Sequence, residues 1–318
     1  MEKSDERTRQ LRIIRSKHPV QIAIGIVVLI FLLSFLFRIA NNENMQWPLI
    51  GHYLFDSHVL SGVRVTLVVT IVCQILAIII GTLIAIMRLS KSRIFMTMAN
   101  GYLWFFRGTP LLVQLIFWYN LAALFPVLFL GVPFTSLGVM LKTNAVISGF
   151  TAAVVGFSLH DGAYMAEIVR AGIMSVDPGQ REAAITTGMT ESQAMRRIIL
   201  PQAMRVIVPP TGNQAINLLK ATALVAFISG GDLLSNVQEI YSVNYAVMPL
   251  LVVATIWYLA LVTVATLGQY YLERTIGKGY TRYNGKKGSA AKINVSMDVA
   301  WTSMCRAIYR KVSNNGRI

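Results

Sequence analysis

Ionisable residues are scarce in this chain, and several of them stand inside long apolar runs or at their ends. An ionisable side chain at membrane depth is costly, so each such position is a candidate for binding or moving a solute. Arg107 precedes Gly108-Thr109-Pro110, where proline interrupts the helical ladder and leaves backbone groups available. A broken helix of this kind is tolerated where it lines a cavity. The alternative is an interfacial arginine that reaches from a helix end towards the headgroups.

A second polar group follows the apolar run that ends at Leu159. His160 and Glu167 are seven residues apart with Tyr164 between them, so on a helix the three share one face. Asp161 adds a carboxylate beside them. We expect the group either at the solvated cytosolic end of a helix or along a translocation path.

Lys220 is the one charge in the apolar run 206–231. It is expected to neutralise either a substrate carboxylate or an internal acidic group. The candidate substrate-path residues are then Arg107, Thr109, Gln114, His160, Asp161, Tyr164, Glu167, Asn213 and Lys220.

Sequence signatures of catalysis are missing from the chain. It has no G-x-x-x-x-G-K-[ST] phosphate loop, no H-E-x-x-H pair and no convincing Ser/His/Asp set. We therefore predict no catalytic residues, no metal ligands and no cofactor bound by this chain, which is not expected to be an enzyme.

The composition indicates a membrane protein. Apolar residues make up 55% of the chain and charged residues 14%, with a mean hydropathy of +0.57, whereas soluble proteins carry about 25% charged residues. The net charge of +15 would suggest nucleic acid in a soluble protein, but here it predicts positively charged cytoplasmic loops and contact with anionic lipid. The two cysteines, Cys73 and Cys305, are expected to be reduced.

Six apolar runs are long enough to cross a bilayer, which takes about 20 residues. Basic residues concentrate at their inferred cytosolic ends, so we predict six spans with both termini in the cytosol. Pro126, Gly131 and Pro133 divide the third run into an outward helix and an external loop. The first run is interpreted as a retained helix, with a cleaved signal peptide as the alternative. The runs are Val20–Phe37, Val65–Met87, Gly108–Leu141, Thr143–Leu159, Val206–Gly231 and Val247–Leu272.

A polar segment, Asp177–Pro201, separates the fourth and fifth runs on the cytosolic side. Asp177-Pro178-Gly179-Gln180 has the cap, the first-turn proline and the returning glutamine of a helix start. Gly188 suits a left-handed helix end, and Thr190–Gln193 repeats the capping pattern for a second helix that should end before Pro201. The alternatives are an ordinary cytosolic loop or a DNA-binding helix-turn-helix.

The same segment resembles a known family. Glu182-Ala183-Ala184, Gly188, Ile198 and Leu200-Pro201 reproduce the EAA---G---------I-LP signature of binding-protein-dependent ABC importers. Further blocks between Leu60 and Ile276 are similar to the polar amino acid permease subfamily. These blocks are Arg107–Gln114, Ala163–Glu167, Arg170–Ile173, Gly179-Gln180, Leu200–Ala203, Pro209-Pro210 and Gly212-Asn213.

The resemblance implies an all-α integral membrane protein with a MetI-like five-helix core (60–276) and one extra N-terminal helix (20–40). Basic cytosolic segments (1–19 and 277–318) would flank them, in the inner membrane of a prokaryote. It implies a permease that works with two ATPase subunits, a second permease copy or homologue, and an extracytoplasmic solute-binding protein, with ATP and Mg²⁺ on the ATPase. An ion-gradient-driven secondary transporter is the alternative. By resemblance, the ATPase-coupling residues are Glu182, Ala183, Ala184, Gly188, Leu200 and Pro201.

Two positions depart from the subfamily pattern. The subfamily often has Leu-Asn-Ser-Ala-Ala-Tyr where this chain has Leu159–Tyr164, which introduces His160 and Asp161. Asp161 would favour cationic amino acids. Lys220–Ala223 similarly replaces a common Lys-Asp-Thr-Ser, and Lys220 suggests the opposite preference. The two departures leave the identity of the amino acid open.

Overall fold

The computed structural model describes residues 19–131 and 138–277. The predicted basic segments 1–19 and 277–318, including Cys305, lie almost wholly outside the described residues. Helices α1 to α6 are Pro19–Ala40, Trp47–Leu54, Ser57–Leu89, Arg93–Gly108, Leu111–Tyr119 and Leu121–Leu124. Helices α7 to α13 are Thr143–Val146, Gly149–Met174, Pro178–Thr186, Glu191–Ala194, Leu200–Ala221, Leu233–Asn244 and Val247–Gly277.

Three described helices, α1, α3 and α13, are long and apolar enough to cross a bilayer. A fourth crossing is possible if Glu191–Ile228 and Leu233–Asn244, which meet at a bend of 43°, form one span. The other two predicted spans fall on α5 and α6, which follow the helix break at Thr109-Pro110, and on α7 and the first part of α8, which carries the polar group around His160. The six-span count and the cytosolic termini therefore stay predictions.

Residues 23–38 of helix α1 are exposed, and its candidate crossing Ala23–Ala40 is apolar. A hydrogen bond links the end of α1 to the start of α2: the Trp47 indole N–H donates to the Ala40 carbonyl at 2.8 Å. A helix with apolar residues on every face suits a lipid environment.

The centre of the helical core is the crossing of α3 and α8, where glycines allow close approach. A Cβ atom on Gly81 would lie 2.4 Å from the Met165 Cβ and 2.8 Å from the Ala166 nitrogen. A Cβ on Gly162 would lie 2.8 Å from an Ile80 methyl group. Small residues at a crossing bring helix backbones together, which is a common packing mode in membranes. This crossing fixes the position of the polar residues on α8.

A buried cluster surrounds that crossing and joins it to the later helices. Leu115 of α5, Phe157 of α8 and Leu218 of α11 pack together with Cys73 of α3. Cys73 is a buried free thiol, as expected for a reduced cysteine.

The predicted external loop contains a two-stranded antiparallel sheet. Strands β1 (Val127–Gly131) and β2 (Gly138–Lys142) pair from Val127–Lys142 to Gly131–Gly138. The predicted all-helical character of the fold is confirmed outside this connection, and the hairpin is an addition to it. Its β-branched and aromatic residues favour extended backbone, and pairing satisfies the N–H and C=O groups of this connection.

The later helices also differ in extent from the predicted runs. Helix α8 begins at Gly149, after a capping box in which Ser148 and Thr151 exchange hydrogen bonds, and it continues to Met174. The stretch between the fifth and sixth predicted runs, for which no helix was predicted, forms helix α12. Asp232 caps that helix by accepting from the Leu234 N–H at 3.1 Å. Asp232 is thus a buried helix cap, a role in which a carboxylate satisfies free N–H groups at the helix start.

Candidate functional site: the coupling segment and the polar face of α8

The coupling segment, Asp177–Pro201, begins as the sequence predicts. Asp177 accepts a hydrogen bond from the Gly179 N–H at 2.7 Å, and Pro178 occupies the first turn of α9. This cap satisfies one of the free N–H groups at the helix start. The predicted return bond from Gln180 is not among the described cap contacts, where the Gln180 N–H instead donates to the Asp177 carbonyl at 3.0 Å.

Gly188 ends α9 in the left-handed conformation, with φ of +86°. The Met189 N–H donates to the Ala184 carbonyl at 3.1 Å, and the Gly188 N–H donates to the Ile185 carbonyl at 2.9 Å. These two bonds are the Schellman arrangement, which satisfies the last carbonyls of a helix and needs a residue that tolerates positive φ. The predicted turn at Gly188 is confirmed.

The second helix of the coupling segment is fixed to the first by an ion pair. Thr190 and Gln193 form the predicted capping box, with bonds of 2.9 and 3.3 Å. The Arg181 guanidinium of α9 donates to both carboxylate oxygens of Glu191 at 2.9 and 2.7 Å. This hydrogen-bonded carboxylate raises the pKa of Arg181 above its ordinary value. This exposed pair adds one contact to the orientation that the Gly188 turn gives the two short helices.

The prediction that the second helix ends before Pro201 is wrong. A π turn, Met195–Ile199, joins α10 directly to α11, and Pro201 lies in the first turn of α11. Proline has no N–H to donate to the residue four positions earlier, and the wider turn accommodates this loss. The backbone is therefore helical from Glu191 to Ala221.

The resemblance-derived coupling residues divide by exposure. Glu182, Ala183, Gly188, Leu200 and Pro201 are exposed, whereas Ala184 is buried. Exposed small residues on α9 leave a surface that another helix or groove can approach closely. Ala184 instead belongs to the internal packing of the segment.

Glu167 of α8 joins three helices through arginine side chains. Its carboxylate accepts from Arg88 at the end of α3, from Arg107 of α4 at 3.1 Å and from Arg170 of α8 at 3.0 Å. We call these four residues the ionic cluster. The sequence identified Arg107 and Glu167 as candidates, but Arg88 entered only as one of the basic residues at a helix end and Arg170 only in a block that resembles the subfamily.

The polar row on α8 meets the helix break at Thr109-Pro110. The Arg107 guanidinium lies over the Tyr164 ring at 5.4 Å from its centroid, and the His160 and Tyr164 rings are 5.2 Å apart. Buried Gln114 donates to the Thr109 carbonyl at 3.1 Å and lies 3.3 Å from the His160 Nδ1. The same amide donates to the Phe106 carbonyl at 3.1 Å, which has no helical donor because Pro110 lacks an N–H.

Three predicted path residues lie elsewhere. Asp161 is 4% exposed and accepts from the Gln214 amide of α11 at 2.9 Å. Asn213 and Lys220, seven residues apart on α11, are exposed. The structure therefore brings together Arg107, Thr109, Gln114, His160, Tyr164 and Glu167 but does not join these three to them. Gln214 was not among the candidates, because nothing in its local sequence separates it from neighbouring polar residues.

A cleft of about 420 Å³ opens beside the ionic cluster. Arg88, Asn100, Trp104, Arg107 and Glu167 are among the residues that line it. A second cavity of about 550 Å³ lies near Asn120 and Asn144, at the other end of α5 and α8.

The comparisons with known proteins identify the family. Residues 77–278 match the model of the binding-protein-dependent transport system inner membrane component. This covers more than half of the chain, and the chain belongs to this family of membrane permease subunits, which are transport components rather than enzymes. The fold is the MetI-like helical permease fold.

Relatives with curated names are permeases for amino acids. The arginine transport system permease protein ArgU of Corynebacterium glutamicum is 40% identical over 267 residues, covering 84% of this chain and 83% of that protein. The probable glutamine ABC transporter permease protein GlnM of Bacillus subtilis is 32% identical and covers 71% of this chain and 98% of its own length. The chain is an amino acid ABC transporter permease subunit and a multi-pass membrane protein.

Solved structures agree with this assignment. A crystal structure of an amino acid ABC transporter with histidines is 36% identical, with a TM-score of 0.58, and covers 69% of this chain and 94% of that chain. An inward-facing methionine ABC transporter, MetNI, is 18% identical with a TM-score of 0.52 and supports the fold alone.

Proposed function

We propose that this chain couples amino acid import to a separately encoded ATPase through Asp177–Pro201. The observation that carries the proposal is the exposed two-helix unit, which is held in one shape by the Asp177 cap, the Gly188 turn and the Arg181–Glu191 pair. An ATPase needs a defined surface of this kind if its movements are to reach the membrane helices. Two ATPase subunits, which bind ATP and Mg²⁺, a second permease copy or homologue, and a solute-binding protein would complete the importer.

The connections of the coupling segment support this role. Only Ser175–Asp177 separates α8 from α9, and the Ser175 hydroxyl donates to the Gly172 carbonyl at 2.7 Å. At the other end the helix runs through the π turn into α11. A displacement of α9 and α10 would therefore be transmitted directly to α8 and α11, because the connections are short and helices are stiff over this length.

We further propose that the translocation path follows α8, α11 and the helix break. Thr109, Gln114, His160, Tyr164 and Asp161 would line it, with Arg107 and Glu167 at its cytosolic end and Asn213 and Lys220 on the α11 side. What supports this is the continuous polar row from Gln114 through His160 and Tyr164 to the ionic cluster. An amino acid carries both charges, and such a row offers donors and acceptors to both.

The proposed arrangement has six spans with both termini in the cytosol, in the inner membrane of a prokaryote. The clustering of basic residues beside the coupling segment supports it. Cysteines introduced singly at Thr190 and Asn244 test the orientation. Only the Asn244 cysteine should react with a membrane-impermeant maleimide added to whole spheroplasts, and the reverse pattern would overturn the orientation.

Reconstitution tests the function. The chain is placed in proteoliposomes with candidate ATPase and solute-binding proteins from the same organism, and uptake of labelled amino acid is measured with and without ATP. We expect uptake that needs ATP and the ATPase, and no uptake by the chain alone under an imposed proton or sodium gradient. Gradient-driven uptake without the ATPase would overturn the proposal in favour of a secondary transporter.

A further inference from the structure

Among the described residues, the ionic cluster has more positive charge than the one carboxylate paired with it neutralises. Three guanidinium groups, from Arg88, Arg107 and Arg170, share the single carboxylate of Glu167, which leaves a net charge of +2. The Arg88 and Arg170 side chains are 27% and 28% exposed, so water screens them only partly. Each guanidinium offers five N–H donors, far more than two carboxylate oxygens can accept. The arrangement therefore calls for a second anion.

The cleft beside the cluster shows where that anion would bind. Arg88 and Arg107 both line it, whereas Arg170 does not, so the two arginines present donors to the same space of about 420 Å³. Trp104, which is 79% exposed, and the polar Asn100 form its α4 side. The volume is sufficient for a phosphate ester group, and two converging guanidinium groups match phosphate oxygens in geometry and charge.

The surroundings of the cleft favour a lipid as the source of the phosphate. Ile94, Met98 and Phe105 are also exposed and apolar, so α4, which supplies one wall of the cleft, can lie against acyl chains. Arg88 is the last arginine of α3 and is followed by Lys91 and Arg93, a level at which headgroups are expected. An exposed tryptophan at that level is typical of a membrane interface. A free phosphate or a substrate carboxylate would make no use of this apolar surface.

We propose that the cleft between Arg88, Trp104 and Arg107 binds the phosphate of an anionic phospholipid from the cytosolic leaflet. Basic pockets between membrane helices on the cytosolic side are known to suit such headgroups. The bound phosphate supplies the missing negative charge and holds the ends of α3 and α4 together beside the coupling segment. The proposal uses the orientation given under Proposed function, but its test needs no partner protein and is independent of transport.

Native mass spectrometry of the detergent-solubilised full chain tests this proposal. Phosphatidylglycerol and phosphatidylcholine are titrated separately, and inorganic phosphate and glycerol 3-phosphate are the soluble probes. We expect phosphatidylglycerol to bind at least tenfold more tightly than phosphatidylcholine. Equal binding of the two lipids would overturn the proposal. Binding of either soluble probe as tight as that of phosphatidylglycerol would overturn the lipid assignment as well.

Charge-matched variants locate the site. The double variant Arg88→Gln/Arg107→Gln should weaken phosphatidylglycerol binding at least tenfold. The control Lys91→Gln/Arg93→Gln removes the same charge from the adjoining loop and should change it less than twofold. Equal loss in both variants would indicate general attraction to basic residues and would contradict a site in the cleft.

A third variant leaves the ionic cluster intact, in case the double variant does not fold. Asn100→Glu places a carboxylate inside the cleft, where it repels phosphate and pairs with the arginines, while Asn100→Gln keeps the site neutral. We expect loss of phosphatidylglycerol selectivity with glutamate and its retention with glutamine. Retained selectivity in Asn100→Glu would overturn the proposal.

Discussion

The coupling segment and the ionic cluster are joined by the last turns of α8, yet they are built in different ways. Every bond that shapes the coupling segment spans ten residues or fewer, from the Asp177 cap to the Arg181–Glu191 pair. The ionic cluster instead joins residues 79 and 60 positions apart in the chain, because Arg88, Arg107 and Glu167 come from three helices.

This difference determines which perturbations disrupt the structure of each region. Local capping preserves the shape of the coupling segment even if the core is loosened, since its bonds need no distant partner. The ionic cluster exists only while α3, α4 and α8 stay packed, so it reports on the core. Predictions that separate the two regions follow, beginning with the largest expected effect.

Reversing the charge of Glu182 should act on coupling alone. In Glu182→Lys we expect ATP-dependent uptake to fall at least tenfold, because the exposed α9 face would present the wrong charge to the ATPase. Membrane insertion and thermal stability should stay unchanged, since Glu182 is exposed. The control Glu43→Lys makes the same change between α1 and α2 and should leave uptake intact. If thermal stability falls together with uptake in Glu182→Lys, the claim that Glu182 acts on coupling alone is wrong.

Removing the Glu167 carboxylate should destabilise the packed helical core. Glu167→Gln leaves three partly buried arginines without their common partner, so we expect the free energy of unfolding to fall by about 2 kcal/mol, discounted for the partial exposure of the cluster. Thermal unfolding of the purified chain measures the loss. Adding Arg88→Gln should recover part of it, because it relieves the repulsion. An unchanged melting temperature in Glu167→Gln would show that the cluster contributes nothing to packing.

The crossing of α3 and α8 supports the cluster and can be tested through one glycine. Gly81→Ala forces a Cβ against Met165, so we expect destabilisation by about 1–3 kcal/mol. The matched control Gly101→Ala lies in α4, where a Cβ meets nothing within 4 Å, and should stabilise by roughly 0.5–1 kcal/mol through helix propensity. Thermal unfolding of both variants gives the comparison, and equal shifts of the same sign would contradict the close crossing.

The smallest effect is expected at the Arg181–Glu191 pair. Both side chains are well exposed, and exposed pairs contribute little and are screened by salt. Arg181→Gln should increase hydrogen exchange of the α9 amides slightly at low salt, and the difference should vanish at high ionic strength. A salt-independent increase would mean that the guanidinium acts through packing instead.

The sequence predicts features that depend on local interactions better than features that depend on distant ones. Asp177, Gly188 and the Thr190–Gln193 box were identified because the residue type alone fixes the local bond. The helix break at Thr109-Pro110 was visible for the same reason. The path of the helix through Pro201 was missed, since a π turn has no clear sequence signal.

The partners of the candidate side chains could not be predicted. Arg88 was assigned to topology because the basic residues after α3 all look alike in sequence. Asp161 and Glu167 are six residues apart, yet one faces Gln214 on α11 and the other faces α3 and α4. Only the packing of the helices decides which side chain meets which.

Cross-linking from the coupling segment tests the central claim most directly. A photo-reactive benzoylphenylalanine replaces Ile185, which is 43% exposed on α9, and the importer is irradiated with its ATPase present. A covalent adduct between the chain and the ATPase is expected from position 185 and not from Val243 on α12, which is 80% exposed. An adduct with the ATPase from position 243, or none from 185 in an importer that transports, would contradict coupling through Asp177–Pro201.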